Sequence, residues 1–143
     1  MTPMGRMQQA AQDFNLDARF GRNELAIEHV APSAREEFGA RHREWGNMVR
    51  VADVELTGIQ SRGDNEADVL VRIAWYSLKE DDLRLTMVKQ TWRDAGGWKL
   101  VAEQRTEGDA GLFGETVVRQ TPPARSPAQF PTITLGGSRE SSE

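Results

Sequence analysis

The stretch Glu66–Leu78, EADVLVRIAWYSL, sets Ala67, Val69, Val71, Ile73 and Trp75 in alternation with Glu66, Asp68, Leu70, Arg72 and Ala74. Successive side chains of a strand point to opposite faces, so this period of two predicts a long strand over 66–78 with one buried face. A single strand needs neighbours, and turn signals on both sides supply them. Ser61-Arg62-Gly63-Asp64-Asn65 leads back to an earlier strand over 48–59, in which Val54 and Leu56 oppose Asp53 and Glu55. Val49 and Val51 sit in the other phase, which predicts a bulge before Val54. On the other side, Lys79-Glu80-Asp81-Asp82 leads into a third strand over 83–93, and Asp94-Ala95-Gly96-Gly97 turns into a fourth over 97–104 with Trp98, Leu100 and Ala102 on one face. In the third strand Leu83, Leu85 and Met87 hold one phase while Val88 and Trp92 hold the other. Either the strand bulges near Met87 or both of its faces are partly covered.

Before Gly46 the period is helical. Met4, Met7, Ala11, Phe14 and Ala18 recur at steps of three and four, with Thr2-Pro3 to start a helix and Gly21 to stop it. Asn23 caps a second, short helix carrying Ala26, Ile27 and Val30, which ends at Ala31 because the residue before Pro32 avoids helical torsions. Ser33-Ala34-Arg35-Glu36 matches a capping box and opens a third helix that Gly46 closes, with Ala34, Phe38 and Trp45 on its apolar face. Helices followed by an antiparallel meander define an α+β fold: N-terminal helices packed on a curved four-stranded antiparallel sheet.

With 143 residues the chain has room for one domain, assigned to residues 1–107. Residues 108–115 form a connecting segment that folds back on the domain through Leu112 and Phe113. Residues 116–143, which hold Pro122, Pro123, Pro127 and Pro131 among Ser, Thr, Gly and Arg, form a disordered tail. A net charge of −4 with scattered basic residues argues against nucleic acid and anionic membranes as partners. The absence of cysteine excludes disulfides, zinc–thiolate centres and cysteine nucleophiles. No apolar run reaches the roughly 18 residues of a transmembrane span. As given, the sequence predicts a cytoplasmic protein; removal of a leader is the alternative, which leads to the cell envelope.

The order of elements, together with residues 90–103, QTWRDAGGWKLVAE, resembles the nuclear-transport-factor-2-like superfamily, also called cystatin-like. There a closing strand pair carries a Trp after a Gly-containing turn, as Trp98-Lys99-Leu100-Val101 does here. The resemblance spans residues 3–104, and is greatest to small bacterial members of unassigned role, many of them exported behind a lipoprotein leader that this sequence does not carry. It implies a cone-shaped fold whose sheet and helices enclose a cavity, used by some members for catalysis and by others for binding or dimerisation.

Isomerases and dehydratases of that fold keep a carboxylate or histidine inside the cone as general base. The strand pattern supplies none: Asp53, Glu55, Glu66 and Asp68 all fall on the face opposite the apolar one, where solvation is the expected state. His29 and His42 are the two histidines. His42, four residues after Phe38 and three before Trp45, points toward the sheet as a structural histidine or as a base. Two histidines lacking a suitably spaced acidic partner make no metal site, and no glycine-rich phosphate loop is present, so neither metal nor cofactor is expected. Trp45, Trp75, Trp92, His42 and Gln90 are the candidate ligand-binding residues, since indoles around one amide suit a small apolar ligand; the alternative is that the tryptophans are core. Of the hairpin pair, Trp98 reads as the core pin and Trp92 as the cavity wall, so truncation of Trp98 is expected to cost more. The sequence thus points to a non-catalytic binding or protein-interaction domain, with a homodimer through the sheet as one form of partner. The alternative is an isomerase or hydratase using His42, Tyr76 or Gln90.

Overall fold

The structure is a computed structural model that describes residues 2–117, so the expectation for the tail falls, from residue 118 onward, outside the described residues. Helix α1 spans Pro3–Arg19 and α2 spans Asn23–Ala26, continued by a 3-10 turn over Ile27–His29. A second 3-10 turn, Pro32–Ala34, leads into α3, Arg35–Arg41. Strands β1 (Val49–Ser61), β2 (Glu66–Ser77), β3 (Arg84–Asp94) and β4 (Trp98–Gly108) come next, and pair antiparallel in the order β1-β2-β3-β4 as an open sheet. The fold is α+β, helices first, as the change of period implies.

Helix α1 begins as its sequence dictates. Thr2 holds extended torsions and its Oγ1 accepts the Gly5 amide hydrogen at 2.9 Å, ahead of Pro3. Removing that acceptor in Thr2→Ala is expected to lower stability by about 1 kcal/mol; an unchanged urea midpoint would show the cap to be idle. The turn after α1 is also constrained. Gly21 and Gly46 both hold positive φ and meet backbone to backbone, so that a Cβ at Gly21 would lie 2.5 Å from the Gly46 Cα. That contact sets the exit of α1 against the entry of β1.

The capping box does not form. Pro32–Ala34 takes a 3-10 turn, α3 starts at Arg35 without a side-chain cap, and it ends at Arg41, short of Gly46. Asn23 likewise lies inside α2 rather than capping it; its Nδ2 donates to the His42 carbonyl oxygen at 3.2 Å. The chain before Pro32 leaves the helix early because the Ala31 amide donates to the Leu100 carbonyl of β4 at 2.8 Å. A tertiary hydrogen bond here outweighs local propensity.

One face of the sheet packs on the helices. Ala67, Val69, Val71, Ile73 and Trp75 are all buried there with Met7, Ala11, Phe14 and Ala18 of α1. The ladder of β1 on β2 shifts between Val51 and Asp53, where the sequence phase breaks, and again between Leu56 and Gly58. Strand β3 is unbroken, with Thr86, Val88, Gln90 and Trp92 inward; the irregularity near Met87 belongs to β4, where Met87 faces Glu107 while Val88 faces Arg105. Leu83 and Leu85 are exposed. The outer face carries ion pairs such as Arg72–Glu55 and Arg93–Glu66. One residue there departs from expectation: Asp68 is only 8% exposed, because Arg62 at 3.1 Å and the Thr91 hydroxyl at 3.3 Å cover its carboxylate.

The segment after β4 packs on the domain. Leu112 and Phe113 are buried, and Trp45 Nε1 donates to the Leu112 carbonyl oxygen at 2.9 Å.

Candidate functional site

A chain of polar side chains runs through the core between α1 and β4. Asn15, on the buried side of α1, donates from Nδ2 to the Ala11 carbonyl at 2.8 Å and to Gln90 Oε1 at 3.1 Å, and accepts from Gln90 Nε2 at 2.8 Å. Gln90 Oε1 also accepts from Trp92 Nε1 at 3.3 Å, and its Nε2 approaches Glu103 Oε2 at 3.4 Å. Glu103 Oε1 lies 2.6 Å from His42 Nε2. Each member is held by its element: Gln90 and Glu103 face each other directly across the β3–β4 ladder, and His42 directly succeeds the last turn of α3.

Glu103 corrects the sequence expectation that no carboxylate enters the interior and that no histidine has an acidic partner. Between Thr91 and Trp92 the register slips: Thr91 faces Ala102 but Trp92 faces Leu100. Val101 is the extra residue. A one-residue bulge exchanges the two faces of everything beyond it. Trp98 and Leu100 therefore point inward, Ala102 is exposed, and Glu103 turns in.

With Nε2 facing a carboxylate, the imidazole donates from Nε2; in the neutral form Nδ1 then carries the lone pair. Nδ1 is buried and unpartnered. An imidazole oriented by a carboxylate, with its second nitrogen unengaged, is the arrangement of a general base. Yet the ring is enclosed: Phe38 stacks on it at 4.1 Å, Trp45 lies against it at 4.1 Å, and Phe14 meets it edge-on at 6.3 Å. The side chains of His42 and Glu103 are 1% and 5% exposed. Arg41 closes the outer side by donating to the Glu103 carbonyl oxygen at 2.5 Å. The groove beside it, lined by Val30, Phe38, Arg41 and Leu100–Glu103, measures about 20 Å³, room for about one water.

Of the candidate residues, His42, Gln90 and Trp92 join one cluster through Glu103 and Asn15, and Trp45 packs on its histidine. Trp75 stands apart. Its Nε1 donates to Thr86 Oγ1 at 2.8 Å, and that hydroxyl donates to the Asp109 carbonyl at 2.7 Å. Trp92 is fully buried with Phe14 edge-on at 5.8 Å, whereas Trp98 is 6% exposed, leaves Nε1 unpartnered and borders a surface cleft with Arg6 and Asp94. Tyr76 lies exposed on the outer face. Among the described residues no three His, Asp or Glu side chains converge to hold a metal ion, and no helix is long and apolar enough to cross a membrane.

No family model matches the chain, and no curated protein matches it. Among solved structures, the fold is similar to the solution structure of a SEC-C motif containing protein from Rhodopseudomonas palustris, at 14% identity and a TM-score of 0.55, over 65% of this chain and 73% of that one. At that identity the likeness is one of fold alone.

Proposed function

We propose that the chain is a nuclear-transport-factor-2-like cone serving as a non-catalytic binding or protein-interaction domain. The cone is supported by the reach of α1, which touches both edge strands, β1 and β4; a sheet does this when it curls round its helix. Bulges in both edge strands supply that curl. The non-catalytic reading is carried by the closure of the interior: its one carboxylate–imidazole pair among the described residues is enclosed by Phe14, Phe38, Trp45 and Arg41. A small apolar ligand would bind among Trp45, Trp75, Gln90, Trp92 and His42 only when the interior opens. A protein partner, a second copy included, would meet the outer face, where Leu70, Leu85 and Tyr76 are exposed between ion pairs.

One observation favours the alternative, an isomerase or hydratase: the unpartnered Nδ1 of a carboxylate-oriented histidine. Proton abstraction separates the two readings. In deuterated water, compounds with acidic hydrogens next to a carbonyl should show no protein-dependent exchange by proton NMR, while binders shift the tryptophan indole resonances saturably. Exchange that the protein accelerates and Glu103→Gln abolishes would overturn the non-catalytic reading.

A further inference from the structure

We infer that the position of the Phe113 ring is a slot for a planar aromatic anion, and that the strap over residues 109–115 is the chain's own removable occupant of it. This rests on the binding reading and names the ligand class.

Two groups of the domain meet the Phe113 ring. The Trp45 indole stacks on Phe113 at 5.8 Å and 17°, and the Arg41 guanidinium lies 4.1 Å from the Phe113 centroid. Contact with both an indole and a cation favours any aromatic ring, and more so one bearing negative charge nearby. His42 borders the slot at 5.5 Å. Beside the strap runs a cleft of about 280 Å³ lined by Arg41, Arg43, Glu44 and Gly111–Gly114. Glu44 accepts from Asn47 Nδ2 at 3.2 Å, and Arg43 is exposed, so the cleft offers a carboxylate or sulfonate on the ring a cationic partner.

The strap is fastened so that it can leave as a unit. Its turn is closed on itself: Glu115 Oε1 accepts the amide hydrogens of Gly111 and Phe113 at 3.0 and 2.9 Å, and the Gly114 amide donates to the Gly111 carbonyl at 3.1 Å. Asp109 anchors it to the sheet, accepting the Leu85 amide hydrogen at 2.9 Å. Beyond Asp109, the polar ties of the turn to the domain among the described residues are the Trp45–Leu112 hydrogen bond at 2.9 Å and a long Arg105–Glu115 contact at 3.8 Å. Gly111 lies between anchor and turn with φ +111, where a Cβ would sit 3.3 Å from Trp75 Cη2, so the joint admits only glycine without strain. Swinging the turn away vacates the volume of Leu112 and Phe113 and exposes Trp45.

While Phe113 fills the slot, apparent affinity is reduced by the fraction of molecules with the strap open. The probe is naphthalene-2-sulfonate, a planar aromatic anion, followed by its fluorescence and by the Trp45 indole N–H resonance. Phe113→Ala should tighten its apparent Kd by about tenfold or more, and Arg41→Gln added to that variant should reverse the gain. If Phe113→Ala loses cooperative urea unfolding, Phe113→Leu, which keeps apolar contact but not the flat ring, is titrated instead. No tightening in the folded variant, or indifference to Arg41→Gln, or a probe that leaves the Trp45 resonance unmoved, overturns the proposal. Failure of the underlying binding reading looks different: it is seen in the parent protein as catalysed deuterium exchange.

Discussion

Val71→Asp is expected to unfold the domain. Val71 is 0% exposed at the centre of the sheet, opposite Leu56 on one side and Val88 on the other. Neither offers a cation or a donor. An ionised aspartate there loses its hydration without a partner, at several kcal/mol, and even the protonated acid leaves polar atoms unsatisfied. Domains of this size have roughly 5–15 kcal/mol to lose. The control is the preceding residue: Leu70 lies on the outer face and is exposed, so Leu70→Asp should melt within about 0.5 kcal/mol of the parent. Circular dichroism melts of the two variants decide the matter, and a Val71→Asp protein that melts like the parent would refute the assignment of faces.

The second large effect concerns the closing hairpin. Trp92→Ala empties a site that is fully buried, takes the edge contact from Phe14 and leaves Gln90 Oε1 without its indole donor. Emptying a buried aromatic site costs roughly 3–5 kcal/mol. Trp98→Ala should cost less, since Trp98 already borders a surface cleft and its Nε1 has no partner to lose. This inverts the order expected from strand phase, which makes Trp98 the pin. Chemical denaturation of both variants gives the order directly; a larger loss for Trp98 would restore the order that strand phase implies.

The four strands are legible in the sequence because a period of two runs through β2 and through stretches of the other three, and their ends fall within a few residues of the turn signals. The interior carboxylate is not. Glu103 shares its sequence phase with Val101, the side opposite Trp98 and Leu100, and reaches the interior only because Val101 is extruded from the ladder. Two adjacent apolar residues, Leu100 and Val101, are the available hint of that change of phase. Asn15 is hidden differently, beside Phe14 and one turn beyond Ala11, within the width of the helix's buried stripe. Its partner Gln90 stands out as a lone amide among tryptophans, yet the reciprocal amide pair depends on how α1 lies across β3, which no local pattern encodes. The capping box fails for a related reason: Ala31 pairs with Leu100, and that distant tie decides where the chain can turn into α3.

The strand order has a kinetic consequence. Every strand of the sheet pairs with its neighbour in sequence, so each ladder closes over a short loop and little chain entropy opposes it. The polar chain beneath is different: Asn15 meets Gln90 across 75 positions and His42 meets Glu103 across 61. Closing those long loops costs more chain entropy than closing the hairpins. The amide pair and the histidine–glutamate pair are therefore expected to be late latches, formed after the folding barrier, so that Asn15→Ala should speed unfolding more than it slows folding in stopped-flow kinetics.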